Sequence, residues 1–268
     1  QKKILLPSMK RIFLAGAPPG PELVEGLSKI LTEGEVYIPY GATEALPVAF
    51  CMSKDIVLNR KSIEHGAGSL LGSPINGVTL STFPVSNGPF SFDVKELERG
   101  EIGEICVSGD IVTDGYYQMP GASFDARFEY NGRVFHRMGD LGYFDDSNQL
   151  RFLGRKAEQV ITENGPLETE RIEPIINSLD GVRRSALIGI GIGKIKEPCV
   201  VIELENEKLD KQNLENSIRE SVLSLFPKLK INRIFWEASI PVDVRHNAKI
   251  HRLNLSRKWH GVVNKNPK

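Results

Sequence analysis

Apolar and polar positions along this chain follow two rhythms, a period near two in short runs and a period near 3.6 in longer ones. Residues 11–15 are a short apolar run closed by the turn Gly16-Ala17-Pro18-Pro19, which predicts a strand and a loop. Across 20–33, Leu23, Leu27, Ile30 and Leu31 recur at i, i+4, i+7 and i+8, with Pro21 and Glu22 in the first turn. That spacing predicts an amphipathic helix. A strand at 35–39 runs into Tyr40-Gly41-Ala42-Thr43-Glu44. From there to Leu150, short strands punctuated by Gly, Asn and Pro predict a mixed or barrel-like sheet, with strands at 105–107, 134–136 and 150–153. Asp145-Asp146-Ser147-Asn148 reads as a turn.

The rhythm changes after Arg155. A strand at 159–162, a helix at 168–179, strands at 185–190 and 200–204, a helix near 209–226 and a strand at 233–236 predict a smaller α+β unit. The boundary falls at 154–158, dividing the chain into 1–154 and 155–268. Residues 262–268 read as a frayed tail.

Composition narrows the function classes. The 268 residues are 40% hydrophobic and 25% charged, ordinary values for a globular protein. Lys plus Arg balance Asp plus Glu at 34 each, so there is no electrostatic footprint for nucleic acid or an anionic membrane. No run of about 18 apolar residues predicts a membrane span. The three cysteines, Cys51, Cys106 and Cys199, are scattered and odd in number, so a reducing cytoplasm is the expected compartment. The chain lacks an initiator Met and begins inside folded-looking sequence, which leads to the expectation of a fragment.

Three clusters carry candidate chemistry. Tyr40 to Glu44 puts a ring, a hydroxyl and a carboxylate on a turn leaving a strand, with Gly41 allowing close backbone approach. The ring can stack on a base, Thr43 can bind phosphate and Glu44 can hold Mg²⁺; a satisfied Thr and a surface Glu at a strand end is the bland alternative. Arg137 to Gly142 contains Asp140 in a Gly-flanked turn, able to accept from ribose hydroxyls, although an isolated Gly-Asp is usually only a turn. Arg245 to Ile250 carries Lys249, able to neutralise a reacting carboxylate and phosphate or merely solvated. Gly189 to Lys194 has neither phosphate-loop nor dinucleotide spacing and reads as a strand end and turn. His65 to Ser69 lacks nucleophile-elbow spacing, and the five His residues show no zinc pattern.

In order and spacing these clusters resemble the adenylate-forming superfamily of acyl-CoA synthetases, luciferases and peptide-synthetase adenylation domains. The resemblance includes Gly16-Ala17-Pro18, Tyr40 to Glu44, Gly103-Glu104-Ile105, Gly115-Tyr116, Gly139-Asp140, Gly154-Arg155 and Lys249. It implies an α/β and α+β fold, the C-terminal part of a large AMP-binding domain followed by a small mobile lid domain. It also implies ATP, AMP and Mg²⁺ as ligands. Gly16, Ala17 and Pro18 would lie along adenine, with Tyr40 stacked on it and Gly41 beside it. Thr43 would bind the α-phosphate, Glu44 the metal and Asp140 the ribose, with Arg155 near ribose and phosphate. Lys249 would bridge carboxylate and phosphate during adenylation.

The chain departs from the family in several places. The Gly-rich phosphate loop is absent, so the isolated chain is expected to be inactive. Ala157 stands at the hinge position, and Asn247-Ala248 precedes the late lysine. Residues 40–47 and 242–250 resemble the olefin β-lactone synthetase branch. That branch implies a long-chain 2-alkyl-3-hydroxy acid substrate, closure of the adenylate by its own hydroxyl, and olefin-pathway enzymes as partners. Within the loop, His246 is expected to pack or hydrogen-bond. An acyl-CoA or aryl-CoA ligase fragment shares the same AMP-site residues, and a non-catalytic interaction module is the third reading.

Overall fold

The computed structural model describes residues 4–206, 209–244 and 248–265. Contacts group them into two compact units. One comprises Gln1–Arg60 and Ser69–Lys156, the other Lys61–Gly68 and Ala157–Lys268. The division is therefore not a single cut, because residues 61–68 group with the second unit.

The first unit contains β1 (Arg11–Phe13), α1 (Pro21–Ile30), β2 (Glu35–Ala42), β3 (Ala45–Met52), α2 (Ser53–Leu58) and the start of a helical turn, α3 (Arg60–Ser62). It continues with β4 (Ser69–Pro74), β5 (Val78–Phe83), β6 (Gly103–Gly109), α4 (Pro120–Ala126), β7 (Arg127–Tyr130), β8 (Arg133–Phe144) and β9 (Leu150–Arg155). The strands form one sheet in the order β1-β2-β3-β4-β9-β8-β6-β5, with β7 on β8. Among the described strands of this sheet, only β1 and β2 pair in parallel. The sheet curls around one apolar core: Val48 and Ala49 from β3 pack in the same cluster as Leu80 from β5, Ile105 and Val107 from β6, and Leu150 from β9.

Strand β6 is covered on both faces. By alternation, Ile105 and Val107 enter that core, while Cys106 joins Phe83 and Phe135 in a second aromatic cluster. In α1 the buried stripe differs from the one the spacing predicts. Val24 is buried and Leu23 is 55% exposed, so the buried side of α1 runs through Val24, Leu27 and, just past the helix end, Leu31. The i, i+3, i+7 set of that face fits the helical period as well as the predicted one does.

The second unit contains a short turn, Lys156–Glu158 (begun by the last residue of the first unit), β10 (Val160–Thr162), β11 (Gly165–Leu167), α5 (Thr169–Asn177), β12 (Val182–Ile190), β13 (Glu197–Leu204), α6 (Lys211–Leu225), β14 (Arg233–Glu237) and α7 (Arg252–Lys265). Strands β12, β13 and β14 form a sheet, antiparallel then parallel. One face packs on α5 and α6 through Ile172, Ile176, Leu187, Val200, Ile202 and Ile218. The other packs on α7 through Ala186, Ile188, Val201 and Leu255. Full burial of each Val, Leu or Ile side chain among them contributes about 1.5–3 kcal/mol. Residues 262–265, expected to fray, are the last turn of α7; Leu255, Trp259 and Val263, at i, i+4 and i+8, hold it to the sheet.

Candidate functional site

Asp140 lies inside β8, not in the turn that its glycine neighbours suggest. Glu104 pairs with Leu141 and Cys106 with Arg137, so Met138, Gly139 and Asp140 all stand opposite Ile105 alone. This is an enlarged β-bulge, and Gly139 supplies the positive φ of 68° that it needs. The kink re-aims Asp140, which is only 4% exposed. Its ladder partner on β9 is Arg155. The Arg155 guanidinium Nη1 lies 3.1 Å from Asp140 Oδ1 and donates to the Met138 carbonyl at 3.2 Å, fastening the bulge and facing the carboxylate at once.

From the far end of β2, Tyr40 donates its hydroxyl to Asp140 Oδ2 at 2.7 Å. Two clusters a hundred residues apart in sequence thus meet at one carboxylate. Burial pushes the Tyr40 phenol well above its ordinary pKa, and the Asp140 charge pushes it further, so the hydroxyl remains a donor. The loop carrying Gly16, Ala17 and Pro18 follows β1. Because β1 runs parallel to β2, this loop leaves β1 at the same end of the sheet at which Tyr40 sits, near the carboxyl end of β2. Gly16 has φ 102°, the left-handed region that glycine tolerates. The carboxyl edge of parallel strands is where α/β sheets hold ligands.

Thr43 and Glu44 form the tip between β2 and β3, flanked by the pair Ala42 and Ala45. Gly41 is required beside it, since a Cβ there would meet the Ala45 carbonyl oxygen at 2.5 Å. Thr43 is exposed and Glu44 half-buried. Burial alone would raise the Glu44 pKa. A hydrogen bond from the Tyr116 hydroxyl, backbone hydrogen bonding and the charges of His136 and Arg155 outweigh it and hold the carboxyl below its usual range. His136, buried on β8, is itself kept below its ordinary pKa by desolvation, against the pull of Glu44. In the sequence Tyr116 stands out only within the Gly115-Tyr116 pair and His136 only at the end of a predicted strand; nothing local signals their meeting with Glu44.

An ionised carboxylate beside an exposed hydroxyl suits Mg²⁺, which takes one or two protein carboxylates and completes its shell with water and substrate phosphates. Among the described residues no group of three or more His, Cys, Asp or Glu forms a protein-only metal cage. Lys249 belongs to the second unit. The bridge between Val242 and Ile250, and the Asp243 amide donating to the Lys249 carbonyl at 2.8 Å, pin its backbone while the residue stays exposed. Arg245, His246 and Asn247, of the same cluster, lie outside the described residues. Ala157 is exposed in the turn that links the two units.

Residues 1–117 match the family described as AMP-binding enzyme. The chain is 36% identical over 259 residues to an olefin beta-lactone synthetase from Stenotrophomonas maltophilia, covering 94% of this chain and 47% of that protein. A second olefin beta-lactone synthetase, from Xanthomonas campestris, is 36% identical over 261 residues with the same coverage. The chain spans about half the length of these relatives. The fold is similar to that of an amide bond synthetase from Marinactinospora thermotolerans, with TM-score 0.74 and 21% identity over 93% of this chain and 46% of that one. In motif order, sequence and fold, the chain is similar to the AMP-binding, adenylate-forming enzymes.

Proposed function

We propose that this chain supplies the nucleotide-binding and lid portion of an ATP-dependent acid ligase, which activates a long-chain 2-alkyl-3-hydroxy acid as its adenylate and closes it to a β-lactone. The observation that carries the nucleotide half of this reading is the meeting of Tyr40, Asp140 and Arg155. An aromatic face, a buried carboxylate and a guanidinium within hydrogen-bond reach are the groups that adenosine and an α-phosphate need. The lactone half is supported by the two synthetases of that name, 36% identical to this chain.

In this reading Tyr40 stacks on adenine while Gly16, Ala17 and Pro18 line its edge. Asp140 accepts from the ribose hydroxyls, exchanging its bond with Tyr40 for theirs. Thr43 donates to the α-phosphate, and Arg155 offsets charge between ribose and phosphate. Glu44 would hold Mg²⁺, which supplies positive charge to the phosphates when bound. A substrate carboxylate oxygen attacks the α-phosphorus and pyrophosphate leaves. Lys249 lowers the repulsion between these two anions, a barrier that water would otherwise screen. The substrate's 3-hydroxyl then attacks the activated acyl carbon, losing its proton as AMP departs. Ring strain opposes closure, but a tethered nucleophile has a high effective concentration.

The test uses the full-length protein with ATP, Mg²⁺ and a 2-alkyl-3-hydroxy fatty acid, products being followed by NMR with and without CoA. A β-lactone formed without CoA is the expected result. An acyl-CoA formed only with CoA would overturn the lactone step and leave the adenylation step standing.

A further inference from the structure

The loop between β6 and α4 has no part in the reading above, yet it grips the Thr43-Glu44 tip at two points. The Thr113 amide donates to the Glu44 carbonyl at 2.8 Å, and the Tyr116 hydroxyl donates to Glu44 Oε1 at 2.8 Å. The first bond fixes the backbone of the tip and the second fixes the carboxylate. The loop is itself braced. Ser123 Oγ accepts from the Tyr116 amide at 2.8 Å and donates to the Met119 carbonyl at 3.0 Å. Gly115 makes room for that brace. It has φ 145°, and a Cβ at this position would meet Ser123 Oγ at 2.9 Å. On the inner side the Tyr116 ring meets the buried His136 ring edge-on, with centroids 6.4 Å apart. Ring contact and hydroxyl bond therefore hold the phenol from two directions.

A lone glutamate on a hairpin tip has three rotatable side-chain bonds. Ordering it for a ligand costs rotamer freedom. A donor held by a second element meets that cost before the ligand arrives. We propose that Tyr116 is a positioning residue for Glu44, and that the 110–119 loop, braced by Ser123 of α4, presets this carboxylate for the divalent cation accompanying ATP. The proposal rests on the assignment of Glu44 to that cation. In this role Tyr116 acts on the cation only through Glu44.

The test compares Y116F, S123A and E44Q in the full-length protein. Mn²⁺ binding in the presence of ATP is read by electron paramagnetic resonance, and Mg²⁺ dependence by pyrophosphate release. For Y116F, the Mn²⁺ concentration at half-saturation rises about tenfold, the worth of one hydrogen bond to a half-buried carboxylate. The apparent KM for Mg²⁺ follows it, while kcat at saturating Mg²⁺ falls less than about threefold. S123A, which loosens the loop but keeps the phenol, shifts the same constant in the same direction by a smaller factor. A merely structural Tyr116 would lower kcat and thermal stability without separating Mg²⁺ dependence from kcat. If E44Q weakens Mn²⁺ binding and Y116F does not, the positioning role is wrong and the assignment of Glu44 stands. If neither variant changes Mn²⁺ binding, Glu44 does not hold the ion and the proposal falls with that assignment.

Discussion

Replacing Asp140 with Ala tests the nucleotide site most directly. A hydrogen bond to a charged acceptor contributes about 1.5–3 kcal/mol, so two ribose hydroxyls would suggest as much as about 6 kcal/mol. The structure lowers that figure. Asp140 already accepts from Tyr40 at 2.7 Å and faces Arg155 at 3.1 Å, so ribose exchanges with existing partners and does not fill an empty carboxylate. The net loss on removal is then about 1.5–3 kcal/mol, equivalent to roughly 10–150-fold weaker AMP binding. Isothermal titration of AMP into full-length protein measures it. D140N, which keeps one acceptor and loses the charge, should fall between. Y40F removes the 2.7 Å bond but keeps the ring, so its AMP affinity should change less than about threefold. An affinity for D140A within about threefold of the unmodified protein would refute the reasoning, provided melting is unchanged.

Further outcomes follow from the same geometry. K249A should lower the rate of adenylate formation by about a hundredfold or more while AMP affinity stays within about threefold, separable by rapid-quench and titration measurements. In the second unit, Arg252 donates to Glu173 at 2.7 and 2.6 Å and to Glu158 at 2.8 Å, in a setting where its side chain is 12% exposed. R252A leaves two carboxylates facing each other and should destabilise that unit by about 3–5 kcal/mol. Guanidinium unfolding followed by tryptophan fluorescence reads this, since both tryptophans, Trp236 and Trp259, lie in the second unit. All three thiols are buried, and desolvation raises Cys51 and Cys199 from 9.0 to about 12 and Cys106 well above its usual value. At pH 8 the folded protein should therefore leave Ellman's reagent unreacted until denatured. The sign for stability follows from the raised values. The contribution of the thiols is fully present below pH 9.0, their unfolded value, and is lost as pH rises toward about 12.

The sequence by itself determined much of the element order. Strands at 185–190 and 200–204 and the helix near 209–226 were legible, because an apolar face that must be buried imposes its period on the chain. The clusters around Tyr40, Asp140 and Lys249 were legible as motifs, because their residue types are rare in that order. Helix α7 was missed because its polar residues outnumber the stripe of Leu255, Trp259 and Val263 that anchors it. What only the tertiary structure decided is how separated segments meet. Pairing of β6 with β8 creates the three-residue bulge at Met138, Gly139 and Asp140, and register is a property of two strands, never of one. The hydrogen bonds from Tyr40 to Asp140 and from Tyr116 to Glu44 span 100 and 72 residues. No local pattern encodes such contacts, because periodicity specifies which face a residue occupies and not what the folded chain brings against it.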